Sequence, residues 1–198
     1  MNKNKNKLLL LAALNVLAAP ALAGPIPFDT YLQFSFSDVG VSAAGCDPAD
    51  PAGAFCIPSG GTATSFLDAP AWTFAGGAGA VLTVIDAFLS GDRFEIFDFG
   101  VSLGLSSLPG LGSDCGDDPV ICLADAGMSR LEIVLGAGPH SLTITPTMTA
   151  DFGGSAYLHV AQGATSVPEP SPLWLMVLGL IALGALRIED AGTPRMRR

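Results

Sequence analysis

The stretch Leu131-Glu132-Ile133-Val134-Leu135-Gly136-Ala137-Gly138-Pro139-His140-Ser141-Leu142-Thr143-Ile144-Thr145 decides the fold class. Leu131, Ile133 and Leu135 alternate with Glu132 and Val134. Beyond the Gly/Pro turn, Leu142 and Ile144 alternate with Ser141, Thr143 and Thr145. A period of two is the side-chain period of a β-strand, so each run offers one apolar face. The same pattern recurs outward from this stretch. Leu32, Phe34 and Phe36 alternate with Tyr31, Gln33 and Ser35; Trp72 and Phe74 share a face; Leu82 and Val84 flank Thr83. Phe94 and Ile96 alternate with Arg93 and Glu95 after a Ser90-Gly91-Asp92 turn, and Tyr157 and His159 alternate with Leu158 and Val160. No segment between these runs sustains a helical period. With 24 glycines and 15 prolines in the chain, residues 24–162 read as an all-β domain, a sandwich or barrel.

Charge is distributed unevenly. The 198 residues carry a net charge of −9, yet the only lysines are Lys3, Lys5 and Lys7, and Arg187, Arg195, Arg197 and Arg198 cluster at the other end. Between Gly24 and Ser166, Arg93 and Arg130 face fifteen acids, which leaves −13. A domain of that charge repels nucleic acid and anionic headgroups and attracts cations.

Lys3, Lys5 and Lys7 precede an apolar run from Leu8 to Ala19, and Ala21-Leu22-Ala23 supplies small residues at the two positions a signal peptidase reads. This order predicts a secretory signal peptide over residues 1–23 and a mature start at Gly24. Export implies an oxidising compartment, so Cys46, Cys56, Cys115 and Cys122 are expected in disulfides. Local pairing, Cys46 with Cys56 and Cys115 with Cys122, fits best, because each pair lies within one polar, Gly/Pro/Asp-rich stretch. A four-thiolate zinc site would need closer pairs than these spacings supply.

Toward the C-terminus, Val167-Pro168-Glu169-Pro170-Ser171-Pro172 precedes an uncharged run from Leu173 to Leu186, which Arg187 closes. The prolines oppose a regular helix before Leu173. The reading is a linker over 163–172, a short transmembrane helix over 173–187, and a basic tail over 188–198 held in the cytoplasm by its arginines. Pro168-Glu169-Pro170, an apolar helix and a basic tail, in that order, resemble the PEP-CTERM sorting signal of Gram-negative bacteria that make extracellular polysaccharide. The resemblance implies recognition of Val167, Pro168, Glu169 and Pro170 by a membrane-embedded exosortase-type transpeptidase. It also implies transient anchoring in the inner membrane, cleavage near the motif and delivery to the cell surface or beyond. One departure is that residues 188–194 separate Arg187 from the next arginine. Residues Asp86 to Gly104, and Gly138 to Ile144, are similar to core hairpins of jelly-roll, galactose-binding-like modules. That likeness implies a jelly-roll-like β-sandwich.

Chemistry is harder to find. His140 and His159 are the only histidines. No G-x-S-x-G elbow, H-E-x-x-H or Walker A loop occurs, and no two of the many aspartates stand out as a glycosidase pair. Ser113-Asp114-Cys115-Gly116-Asp117-Asp118 is an acidic loop with hard oxygen ligands suited to Ca²⁺, through Asp114, Asp117 and Asp118. Asp86, Asp92 and Asp98 form a second, sparser acidic set around an expected hairpin. Trp72 and Tyr157 are candidate sugar contacts. The expectation is therefore a non-enzymatic, exported surface or extracellular-matrix protein with a structural or adhesive role in exopolysaccharide or biofilm. Its expected partners are signal peptidase, an exosortase-type transpeptidase and polysaccharide, with no nucleic acid. A carbohydrate-binding module and a secreted hydrolase are the alternatives.

Overall fold

The computed structural model describes residues 24–163 and Met176. The expected signal peptide 1–23, the expected sorting motif Val167–Pro170 and the expected basic tail 188–198 lie outside the described residues. So does the expected span 173–187, apart from Met176. No helix among the described residues is long and apolar enough to cross a membrane.

The described chain is mostly strand. In order it forms β1 (Tyr31–Phe36), β2 (Cys46–Asp47), β3 (Ala54–Phe55), β4 (Thr64–Phe66), β5 (Trp72–Gly76), β6 (Val81–Asp86), β7 (Arg93–Asp98), β8 (Val101–Leu105), α1 (Pro119–Ala124), β9 (Arg130–Val134), β10 (Gly138–Met148) and β11 (Gly154–Ala161). Two main sheets result, with strand orders β4-β1-β11-β6-β9 and β5-β10-β7-β8. β2 and β3 make a small separate parallel pair.

Pairing in the main sheets is nested. β7 pairs with β8, β6 with β9, β5 with β10 and β1 with β11, all antiparallel. Successive pairs alternate between the sheets, as when one long hairpin is rolled up. β7–β8 is the one tight antiparallel hairpin among the described strands. Its turn residues Phe99 and Gly100 have φ of 47° and 77°, both in the left-handed region that two-residue hairpin turns require. The expected hairpin around Asp86 and Asp92 is corrected here. β6 and β7 belong to opposite sheets, so residues 87–92 carry the chain across one end of the sandwich.

The two sheets share one core. Leu32, Phe34, Phe36, Leu82, Val84, Leu158 and Val160 from one sheet pack with Trp72, Phe74, Phe94, Ile96, Leu142 and Ile144 from the other. Aromatic rings join the layers: Phe34 lies 5.7 Å from both Trp72 and Phe94, and Phe36 lies 5.0 Å from Phe94. Trp72 Nε1 donates to the Asp68 carbonyl at 2.7 Å, which satisfies its one polar atom inside the core.

The central strands of the five-stranded sheet are covered on their other face too. There Ile85 and Tyr157 form a second cluster with Ala87, Met128, Cys115 and Cys122. Beside it Gln33 and Ser35 are buried under the residues that follow β1. Two disulfides fasten this cover, Cys46–Cys56 and Cys115–Cys122, with Cα separations of 5.4 and 4.9 Å. Loop closure of this size stabilises a domain by about 2–3 kcal/mol per bridge. α1 is one short turn inside the second loop. Asp118 caps it, accepting from the Val120 N–H at 2.9 Å, and Pro119 stands at the first helical position, where a missing N–H costs nothing.

Candidate functional site

The residues singled out from sequence do not converge on one site. Trp72 and Tyr157 are fully buried, so neither presents a ring face to a sugar; both expected sugar contacts are corrected to core residues. Tyr157 donates its hydroxyl to the Asp117 carbonyl. Burial, then the charges of Asp117 and Asp118, push its pKa up to about 12.

The acidic loop is a clasp of carboxylates and backbone amides. Asp114 Oδ1 accepts from Gly116 N–H at 3.0 Å. Asp117 Oδ2 accepts from Gly60 N–H, and Asp118 Oδ2 from Thr62 N–H, each at 3.0 Å. The second disulfide loop thus grips the segment that follows the first. Desolvation at Asp118 is outweighed by the Val120 and Thr62 hydrogen bonds, which hold its pKa below the usual carboxylate value. Among the described residues, no group of three or more His, Cys, Asp or Glu side chains is placed to hold a metal ion. Asp114, Asp117 and Asp118 each accept from a different backbone partner.

The histidines are engaged within the fold. His140, on β10, is stacked against Phe74 at 4.9 Å. Its Nδ1 lies 2.7 Å from Asp98 Oδ2 and its Nε2 lies 3.1 Å from the Gly136 carbonyl. Asp98 Oδ1 also accepts from Ser141 N–H at 2.8 Å. His159 stacks on Tyr31 at 4.5 Å, and burial lowers its pKa against an opposing pull from Asp29.

A different place draws chemistry together. It is the end of the sandwich where β1, β6 and β10 finish and β7 and β11 begin. A cavity of about 480 Å³ opens there, walled by Phe36, Ile57, Phe88, Leu89, Asp92 and Phe152 among others. A neighbouring cavity of about 520 Å³ is lined by Asp38, Val39, Thr149, Ala150, Asp151 and Phe152. Ala150, Asp151 and Phe152 belong to both, and of the three Phe152 supplies the aromatic ring. Its side chain is 94% exposed, and Leu89 is 52% exposed.

Both disulfide loops support this end. Ile57 follows Cys56 directly. Phe88 N–H donates to the Gly116 carbonyl at 3.0 Å, Cys115 N–H to the Phe88 carbonyl at 2.9 Å, and Ser90 N–H to the Ser113 carbonyl at 2.8 Å. These bonds hold Phe88 at φ 59°, an uncommon conformation for a bulky residue that persists only where its surroundings impose it. Glycine makes two close approaches possible. A Cβ on Gly91 would lie 2.6 Å from Ala150 Cβ, and one on Gly153 would overlap the Phe36 carbonyl; both positions have φ above 130°.

Beneath the wall of the first cavity lies a pair of buried carboxyls. Asp86 is fully buried and Asp92 nearly so. Asp86 Oδ1 accepts from Ala87 N–H at 2.9 Å, and Asp92 Oδ1 from Ala150 N–H at 2.8 Å. Burial, then the neighbouring Asp92 charge, push the Asp86 pKa up to about 8. Asp92 is also raised, by burial, against the Ala150 hydrogen bond. Two adjacent carboxyls out of water hold a proton between them. The Ala150 N–H bond to Asp92 ties the 87–92 crossover to the loop that follows β10.

Phe88, Leu89 and Phe152 carry no motif, and the sequence reading passes over them. Their signal is apolar side chains inside turn-like stretches, Phe88-Leu89-Ser90-Gly91 and Asp151-Phe152-Gly153-Gly154. Comparison with protein-family models, with curated proteins and with solved structures finds no match to the chain.

Proposed function

We propose that this chain is an exported surface or extracellular-matrix protein. On this reading a secretion signal and an exosortase-type sorting signal deliver a cross-linked β domain, which acts by binding or scaffolding and performs no catalysis. The observation that carries the reading is the pair of disulfides, Cys46–Cys56 and Cys115–Cys122. Disulfides form and persist in oxidising compartments, and they fit an extracellular or periplasmic protein. The nested strand pairing favours a jelly-roll form of the sandwich. Engagement of both His140 ring nitrogens by Asp98 and Gly136 supports a structural role for that residue.

Intact-mass analysis of the protein recovered from the producing cells tests delivery. The expected species lacks residues 1–23, lacks the segment beyond the Pro168-Glu169-Pro170 motif and holds both bridges. A cytosolic species with its first twenty-three residues and four free thiols overturns the reading.

Carbohydrate binding is the second reading. The two-cavity end of the sandwich favours it, with Phe152 in the role first expected of Trp72 and Tyr157.

A further inference from the structure

We propose that the loop end of the sandwich binds a chain of sugar units bearing free amino groups, the chain crossing the Phe152 ring from one cavity into the other. The inference deepens the carbohydrate-binding reading and stands apart from how the protein is delivered.

Three features point to this ligand. The first is shape. Two open cavities of about 480 and 520 Å³ share the loop segment Ala150, Asp151 and Phe152, whose one aromatic ring is almost wholly exposed. That arrangement suits a polymer with one unit on the ring and neighbours on either side. The second is the wall. The exposed Phe152 ring, flanked by Phe88 and Leu89 on one side and Val39 on the other, offers an apolar platform for the C–H face of a pyranose. The third is charge. Asp38 lines one cavity and Asp151 both, and both are exposed, whereas Asp92 lies buried behind the wall. The only basic residues of the described domain are turned elsewhere: Arg93 Nε donates to the Ser106 carbonyl at 2.9 Å, and Arg130 Nη1 to the Leu123 carbonyl at 2.7 Å. Among the described residues, the exposed Asp38 and Asp151 therefore have no cation of their own. They attract an ammonium group and repel a uronic-acid polymer.

A basic peptide would meet the charge requirement and fails on another count. Extended peptides dock chiefly by adding a strand to an open sheet edge. β1, β6 and β11, which run into this cleft, each have a neighbour on both sides. Recognition here falls to loop side chains, which suits stacking and hydroxyl or ammonium contacts. The loops are also set in advance by the two disulfides and the glycine contacts at Gly91 and Gly153, and preorganisation of that kind lowers the cost of binding.

Calorimetric titration of the full chain, disulfides formed and in mild detergent at pH 5.5, tests the proposal. The probes are a glucosamine hexamer, an N-acetylglucosamine hexamer, a galacturonic acid hexamer and hexalysine. The glucosamine hexamer should bind at least tenfold more tightly than the other three. Phe152→Ala should weaken that binding at least tenfold while the thermal midpoint stays put, because the side chain is almost wholly exposed. Asp151→Asn should weaken it severalfold and flatten its salt dependence. Absence of glucosamine-hexamer binding overturns the proposal. So does equal affinity for the acetylated hexamer or hexalysine, or unchanged affinity in Phe152→Ala.

Discussion

The two main sheets meet water differently. In the four-stranded sheet, β10 buries His140, Leu142, Ile144 and Pro146 and turns the residues between them outward. In the five-stranded sheet, β1 and β6 each bury five consecutive residues. One sheet has a core face and a wet face; the other has its central strands sandwiched between the core and a cover of cross-linked loops, while its edge strand β9 leaves Glu132 and Val134 exposed. Alternation in a sequence reports the inner face of a sheet. It is silent about whether a distant segment folds over the outer one.

The strongest way to break this comparison is to compare the two faces of β1. Phe34→Ala removes the ring that touches both Trp72 and Phe94, and should destabilise the domain by about 3–5 kcal/mol in urea unfolding. A loss under about 1 kcal/mol would mean that the inter-sheet core does not dominate stability.

Next in size is the cover itself. Replacing both Cys115 and Cys122 by alanine should cost about 2–3 kcal/mol. Hydrogen exchange should then quicken at Phe88, Ser90 and Cys115 while β7 and β10 stay protected. Equal loss of protection in β10 would show that cover and core open as one unit.

The smallest effect sharpens the comparison at the seam between cover and cleft. Asp86 has a folded pKa of about 8, above the ordinary carboxylate value of about 4. Its protonated form therefore adds stability that is fully present below about pH 4 and fades as the pH rises through about 8. Asp86→Asn keeps a neutral side chain at every pH. Its thermal midpoint should gain on the wild type by several degrees between pH 4 and 8. Parallel midpoint curves for the two proteins would show that the pair does not share a proton.

Much of the inner fold was legible. The runs at Leu32–Phe36, Phe94–Ile96 and Leu142–Ile144 became strands with the expected residues inward, because burial on one face imposes a period of two. Disulfide pairing was legible for a related reason: cysteines close in sequence within loop-forming stretches are already close in space. The site was far less legible. Trp72 and Tyr157 looked like ligand contacts because they are large aromatics, yet their size is what secures them in the core. Phe152, an apolar residue in a turn, carried no motif. α1 was passed over because a single turn has no helical period, although the Asp118-Pro119 start was there to be read.

Sequence alone determined the all-β class, the excess of acid over base and the local cysteine pairs, since each depends on neighbours along the chain. Tertiary structure decided which strands meet and which polar residues are covered. It also decided where Asp92, Asp151 and Phe152 come together. Those outcomes depend on pairing first strand with last and rolling the rest between them, and contacts between residues more than a hundred positions apart leave no periodic trace in either segment.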